Sequence, residues 1–487
     1  MNFWADVVER RPREQTALIE LAADGARREW TFAEVAGRSS ALSAEYAARG
    51  VGRGDVVMTM IGSRPEWVLA MVACFRIGAV ALPVSEQLRP HDLEHRIAVA
   101  RPKLLLYDER NADVVRAGAA GGRVAFWAIC AENATSPAWG DGLLVSEPAS
   151  LAPEDPCLIT FTSGTTGEAK GVLHGQRYLS GQVAQAKDWL GAEPGDIAWC
   201  TASTGWSKSA RNVFIAPWIC GAAALLHDGR FDPHERLEII EREQVNALCM
   251  APTEYRLVAK RAELRPLPQI RSMVAAGEAL NPEVLAQWRE ATGVSIRDGY
   301  GQTETGQLTG VPAGTEPRPG SMGRALDGIG LRVEDGELVA DPATVPTFFL
   351  RYLGEEPPDP GRPWHTGDRV TQDEDGWLFF EGRADDVIIS AGYRIGPFEV
   401  ESALVSHRSV AEAAAVAEPD EERGAIVRAI VVLRDGFAGS PELAAELQHH
   451  VRTETAPYKY PRIVEFAAEL PKTASGKVRR AALRQPR

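Results

Sequence analysis

A short apolar run, Cys157-Leu158-Ile159-Thr160-Phe161, leads without a break into Thr162-Ser163-Gly164-Thr165-Thr166-Gly167-Glu168-Ala169-Lys170-Gly171. The run has the length and content of a buried strand. The loop after it sets three glycines and four hydroxyl residues around one lysine. Glycine accepts positive φ and has no side chain to clash, so such a backbone turns its N–H groups inward. The hydroxyls add donors and Lys170 adds a positive charge. Together they suit a polyphosphate. The plain alternative is a flexible linker, but a linker rarely follows a buried strand directly or carries a lysine among its glycines. The loop is not a Walker A, which closes on Gly-Lys-Ser/Thr. Here Ala169 precedes Lys170 and Gly171 follows it.

The surrounding pattern predicts an α/β fold. Strand signals at residues 56–60, 79–84, 104–107 and 270–275 alternate with helical periodicity at 65–77 and 282–292. Residues 310–361 are rich in Gly and Pro and predict irregular β structure. From about residue 383 the texture changes to a compact α+β unit. Its helices are expected at 399–405 and 441–453, and its strands at 411–417, 425–433 and 463–466. At 487 residues the chain exceeds what one hydrophobic core serves.

Composition narrows the function. A net charge of −14 repels nucleic-acid phosphates, so no nucleic-acid partner is expected. The six cysteines form no CxxC pair, and several sit in apolar runs, which predicts buried free thiols in a reducing compartment. The histidines lack metal-ligand spacing, so no zinc site is expected. The N-terminus has no signal-peptide pattern, and the longest apolar stretch, near residues 67–83, is broken by Arg76. A cytoplasmic protein without a transmembrane segment is expected.

Four further polar segments accompany the loop. They are Gly277-Glu278-Ala279 at a strand end and the glycine-rich Gly299-Tyr300-Gly301-Gln302-Thr303-Glu304-Thr305-Gly306, read as a loop. The other two are Trp364-His365-Thr366-Gly367-Asp368, ahead of a hairpin-like segment ending Gly382-Arg383-Ala384-Asp385-Asp386, and Pro471-Lys472-Thr473-Ala474-Ser475-Gly476-Lys477. Each alone reads as a turn or a solvated loop. Together and in this order, over nearly the whole chain, they resemble the adenylate-forming superfamily of acyl-CoA synthetases, adenylation domains and luciferases. Residues 299–306, 382–397 and 456–461 look closest to the medium-chain acyl-CoA synthetases.

The resemblance implies a large N-terminal adenylate-forming domain of parallel and mixed sheets with a β-rich subdomain (1–383), a hinge (384–387) and a small mobile α+β C-terminal domain (388–487). It implies AMP-forming carboxylate–CoA ligation with ATP, Mg2+, coenzyme A and a carboxylic acid. Thr162, Ser163, Gly164, Thr165, Thr166, Gly167 and Lys170 would wrap the β- and γ-phosphates. Gly277 and Glu278 would border the adenine, with Asp298, Gly299, Tyr300, Gly301 and Gln302 completing the nucleotide site. Thr303 would contact the α-phosphate, Glu304 would help hold Mg2+, and Asp368 with Arg383 would take the ribose. Lys477 would bridge the reacting carboxylate and the α-phosphate, and Asp385 would be the pivot. Ala391, Gly392, Tyr393, Arg394, Arg423, Arg452 and Tyr460 would meet CoA.

Acetate-specific relatives carry a bulky Trp where this chain has Gly301, so a roomier acyl pocket is expected. The acid would be short or medium-chain, branched or aromatic. Trp206 would line that pocket or belong to the core. Ala169 stands where the family usually has Pro, and Ala391 where a close relative would often have Ser. Two competing readings are an adenylating enzyme that passes its acyl group to a carrier protein or amine, and a non-catalytic nucleotide-binding protein.

Overall fold

The computed structural model describes the chain apart from residues 120, 122–123, 131–144, 163–168, 278–281, 384–385, 387, 391–392, 421–422, 456–457, 473–477 and 485–487. Local signals set the main elements. The helix Phe32–Ala48 opens on a capping box, in which Thr31 Oγ1 accepts the Glu34 N–H and the Glu34 carboxylate accepts the Thr31 N–H. The helix Pro65–Ile77 starts with proline in its first turn and stops at Gly78 with φ 74°. Its residues are buried on every side, so its apolar run is a core helix.

Two large sheets carry the first three-quarters of the chain. In one, the strands run in the order Arg351–Tyr352, Gly171–Gly175, Pro156–Phe161, Val80–Pro83, Val56–Met60, Leu104–Asp108 and Ala125–Cys130. The other runs Arg324–Ala325, Gly306–Gly310, Ile296–Gln302, Ser272–Ala276, Ala247–Cys249, Ile197–Cys200, Ala223–His227, Thr16–Leu21 and Arg27–Thr31. Its central strands pair in parallel, and their carboxyl ends lead to Thr201, Met250, Gly277 and Thr303. In open α/β sheets, ligands bind beyond those ends. Between the two sheets lies the largest core, where Trp218 packs edge-on against Phe32 and donates its indole N–H to the Ala17 carbonyl.

A third sheet, in the order Leu331–Glu334, Glu337–Ala340, Trp364–Gln372 and Leu378–Arg383, occupies the Gly/Pro-rich region. Strands Val410–Asp420, Gly424–Leu433 and Ile463–Phe466 form the last sheet, covered by helices Pro397–Ser406 and Pro441–Glu454. The five cysteines whose side chains are described, Cys74, Cys157, Cys200, Cys220 and Cys249, are free and buried. No helix among the described residues is long and apolar enough to cross a membrane.

Two readings of the sequence change. Residues 299–306 are not one loop: Ile296–Gln302 and Gly306–Gly310 are adjacent antiparallel strands joined by a tight turn. Glycine is what allows this, because the backbones and side chains around residues 299 and 301 leave no space for a Cβ. Likewise Trp364–Asp368 does not precede the hairpin but forms the start of its first strand.

Replacing Trp218 with alanine should cost about 3–5 kcal/mol, read as a lower urea midpoint, whereas Trp218→Phe should keep most of it. An unchanged midpoint for the alanine variant would contradict the core assigned to that ring.

Candidate active site

The hairpin Trp364–Gln372/Leu378–Arg383 places Asp368 directly opposite Arg383. Asp368 is 4% exposed. Its Oδ1 accepts the Arg383 guanidinium at 3.3 Å. Its Oδ2 accepts Gln302 Nε2 at 2.9 Å and the Tyr300 hydroxyl in a short hydrogen bond. Tyr300 and Gln302 come from a different sheet, so this one carboxylate joins two sheets. Burial and then the Asp368 charge raise the Tyr300 phenol well above its ordinary range, which keeps it a donor. Gln302 is fixed from both ends, with Nε2 on the Thr366 carbonyl at 2.7 Å and Oε1 accepting Trp364 Nε1 at 3.0 Å.

The loop that opened the sequence is closed at its base. Strands Pro156–Phe161 and Gly171–Gly175 are antiparallel, and Thr162 N–H donates to the Lys170 carbonyl at 2.9 Å. Residues Ser163, Gly164, Thr165, Thr166 and Gly167 lie outside the described residues. Lys170 Nζ bonds Glu355 at 2.8 Å and lies 4.8 Å from the Tyr352 ring centre. The Tyr352 hydroxyl donates to Glu304 Oε1 at 2.8 Å. A continuous relay therefore runs from the loop lysine through Tyr352 to Glu304. Tyr352 sits in the segment read as irregular, and no local pattern in the sequence singles it out.

Gly301 has a stricter role than an open pocket requires. A Cβ there would sit 1.9 Å from the Gly306 carbonyl oxygen, so any side chain at this position would require the two strands of this hairpin to shift. Thr303 follows at the turn, and the fully buried His174 ring lies against its backbone. Trp206 is half-buried and starts the short helix Ser207–Ala210. Gly277 has φ 98° just past its strand, and Glu278 is outside the described residues. Asp298 accepts the Gly299 N–H at 2.8 Å, and burial pushes its carboxyl up to about 8.

In the C-terminal part, Lys477, Asp385, Ala391 and Gly392 lie outside the described residues, as do the side chains of Tyr393 and Arg394. Their neighbours are firmly tied. Arg480 makes a bidentate pair with the partly buried Glu401 and reaches Asp386, which Arg484 also holds. Burial opposes the Arg480 charge, but Glu401 and Asp386 outweigh it and raise its pKa. Arg452 lies 4.1 Å over the Tyr460 ring, and Arg462 is 5.2 Å from the same ring. Arg423 occupies the turn between strands Val410–Asp420 and Gly424–Leu433, where its N–H is bound to Asp420.

The chain is similar to known proteins along nearly its whole length. The chain matches the family model described as AMP-binding enzyme over residues 4–346, and the AMP-binding enzyme C-terminal domain over residues 399–477. It is 39% identical over 502 residues to the uncharacterized acyl-CoA ligase YtcI of Bacillus subtilis (strain 168), covering 97% of this chain and 93% of that protein. It is 37% identical over 530 residues to the human mitochondrial acyl-coenzyme A synthetase ACSM4, covering 99% and 90%. Among solved structures, a Brucella canis acyl-CoA synthetase aligns with TM-score 0.74 and 34% identity, over 99% of this chain and 94% of that one. The anthranilate CoA ligase AuaEII, in complex with anthranoyl-AMP, aligns with TM-score 0.87 and 28% identity, over 99% and 96%.

Two variants test the geometry. Gly301→Ala should destabilise by about 1–3 kcal/mol, seen as a lower melting temperature; wild-type stability would show that the turn gives way easily. Asp298 holds a proton in the folded chain at pH values where the unfolded chain has lost it. Its contribution is therefore present below its ordinary carboxyl range and lost as pH rises towards about 8. Asp298→Asn should flatten that decline in melting temperature, and parallel curves for variant and wild type would contradict a raised carboxyl.

Proposed function

The chain belongs to the AMP-binding enzyme family, and we propose that it is an AMP-forming carboxylate–CoA ligase whose nucleotide site is built around Asp368. The observation that carries this is the convergence on one buried carboxylate of Tyr300, Gln302 and Arg383. A carboxylate accepts two ribose hydroxyls well, and its three donors fix it in place before the nucleotide arrives.

In the first step a carboxylate oxygen attacks the α-phosphorus of ATP and pyrophosphate leaves. The nucleophile is already ionised at neutral pH, so no general base is required. The difficulty is bringing two anions together, which fixed cations and N–H dipoles offset. The loop at residues 162–170 would hold the departing phosphates, and Thr303 would meet the α-phosphate. Lys477 would approach from the C-terminal domain. Glu304, fixed by Tyr352, would offer a hard carboxylate oxygen to Mg2+. Bound with ATP, Mg2+ would neutralise phosphate charge.

In the second step the CoA thiol displaces AMP from the mixed anhydride. Arg452, exposed and lying over the partly buried Tyr460, supports CoA as acceptor, since a guanidinium on an aromatic ring suits phosphate and base together. Rotation about Asp385 would exchange Lys477 for residues 391–394 at the acyl carbon. A wide carboxylic-acid screen for CoA thioester and AMP tests the reading. Acyl-AMP that never acylates free CoA would favour a carrier-protein or amine acceptor instead.

The two steps are separable. Lys477→Ala should lower adenylation by orders of magnitude, about 10²-fold or more, while thioester formation from supplied acyl-AMP survives. Equal loss of both half-reactions would contradict domain rotation. Asp385→Pro should impair thioester formation more than adenylation, and an equal effect on both would exclude the pivot.

A further inference from the structure

Behind the strand pair that carries Gly301 lies a buried cation with no carboxylate partner among the described residues. Arg211 is 5% exposed, and it forms no ion pair among the described residues. Among the described residues its Nε and Nη1 have no hydrogen-bond partner, Nη2 reaches Gln307 Oε1 at 3.4 Å, and the Tyr178 hydroxyl lies beside the guanidinium. An uncompensated buried charge costs several kcal/mol (roughly), and arginine does not escape by losing its proton. Buried charges are normally paired.

Other buried polar groups face the same region. The His174 ring is fully buried and lies against the Thr303 and Thr347 backbone. Burial and then the nearby Arg211 charge pull it down to about 3, so the ring is neutral. It stacks at 4.1 Å on Tyr178, whose hydroxyl lies beside Arg211 and Ser207. Asn212 Nδ2 and Gln185 Oε1 are also unpartnered. Arg211 and Gln185 each open a π-helical segment, Arg211–Ile215 and Gln185–Leu190, a form enriched at functional sites.

The place of this cluster is specific. Gln307 pairs with Gly301 across the ladder, His174 lies against Thr303, and Trp206 begins the helix that runs into Arg211. These are the residues that border the proposed acyl pocket. We propose that Arg211, flanked by Gln307 and His174, forms a second anion subsite at the far end of that pocket, so the substrate is a carboxylic acid bearing a second carboxylate. One carboxylate meets the α-phosphorus and the other pairs with Arg211. This rests on the ligase reading above.

The test compares malonate, succinate, glutarate and adipate with monocarboxylic acids of matched carbon number, in wild type, Arg211→Met and Arg211→Lys. Wild type should favour a dicarboxylate by roughly 10- to 100-fold in kcat/KM. Arg211→Met should reverse that preference and Arg211→Lys should keep part of it. Arg211→Met should also raise the melting temperature without substrate, because the orphaned charge is gone. A wild-type preference for monocarboxylic acids, or a ratio unchanged in Arg211→Met, overturns the subsite while leaving the ligase reading intact. Should no acid of either class yield a thioester, the ligase reading fails, and calorimetry with succinate and butyrate then decides the subsite alone. Succinate binding lost in Arg211→Met supports it; binding that is equal in both proteins or absent from wild type overturns it.

Discussion

One buried carboxylate holds the site together. Asp368 lies on the hairpin sheet, yet two of its side-chain partners, Tyr300 and Gln302, lie on the large mixed sheet. A buried carboxylate without such partners would be costly. With them it becomes a fixed acceptor that ties the β-rich region to the ends of the parallel strands. Thr366 adds to the fixation from below, its hydroxyl donating to the Leu338 carbonyl and accepting the Asp368 N–H. The nucleotide site proposed here is therefore rigid where the ribose would sit.

The same region shows how glycine and distance divide the labour. Gly301 lets two strands close so tightly that no side chain fits between them. That closure carries Thr303 and Glu304 onto the turn beyond. Glu304 is then set by Tyr352, whose ring also lies against Lys170 Nζ at the base of the loop after strand Pro156–Phe161. Burial and then the Glu304 charge raise the Tyr352 phenol, so it remains a proton donor to that carboxylate. The C-terminal part follows the same principle: Arg480 binds the neighbour of the proposed pivot to Glu401, which fixes one side of a segment meant to turn.

Elements fixed by local pattern were legible in the sequence. The helix Pro282–Thr292 and the strand Ile463–Phe466 carry their periodicity and start signals within their own residues. Ile296–Gln302 did not read as a strand, because three polar residues and two glycines mask a backbone that pairs on both edges. The chemistry-bearing segments were legible as dense polar clusters, and their joint order pointed to the family. Tyr352 and the orphaned Arg211 were not, since each matters only through residues far away in the chain. No window of sequence shows that Tyr352 meets Glu304 or that Arg211 has no carboxylate beside it among the described residues.

The central claim is that Asp368 receives the ribose hydroxyls of the nucleotide. A thermodynamic cycle tests it most directly: calorimetric binding of AMP and of 2′,3′-dideoxy-AMP to wild type and to Asp368→Ala. The account predicts strong coupling, roughly 1.5–3 kcal/mol, so that removing the hydroxyls weakens wild type but hardly affects the variant. Additive losses, with the dideoxy nucleotide weakened equally in both proteins, would contradict it.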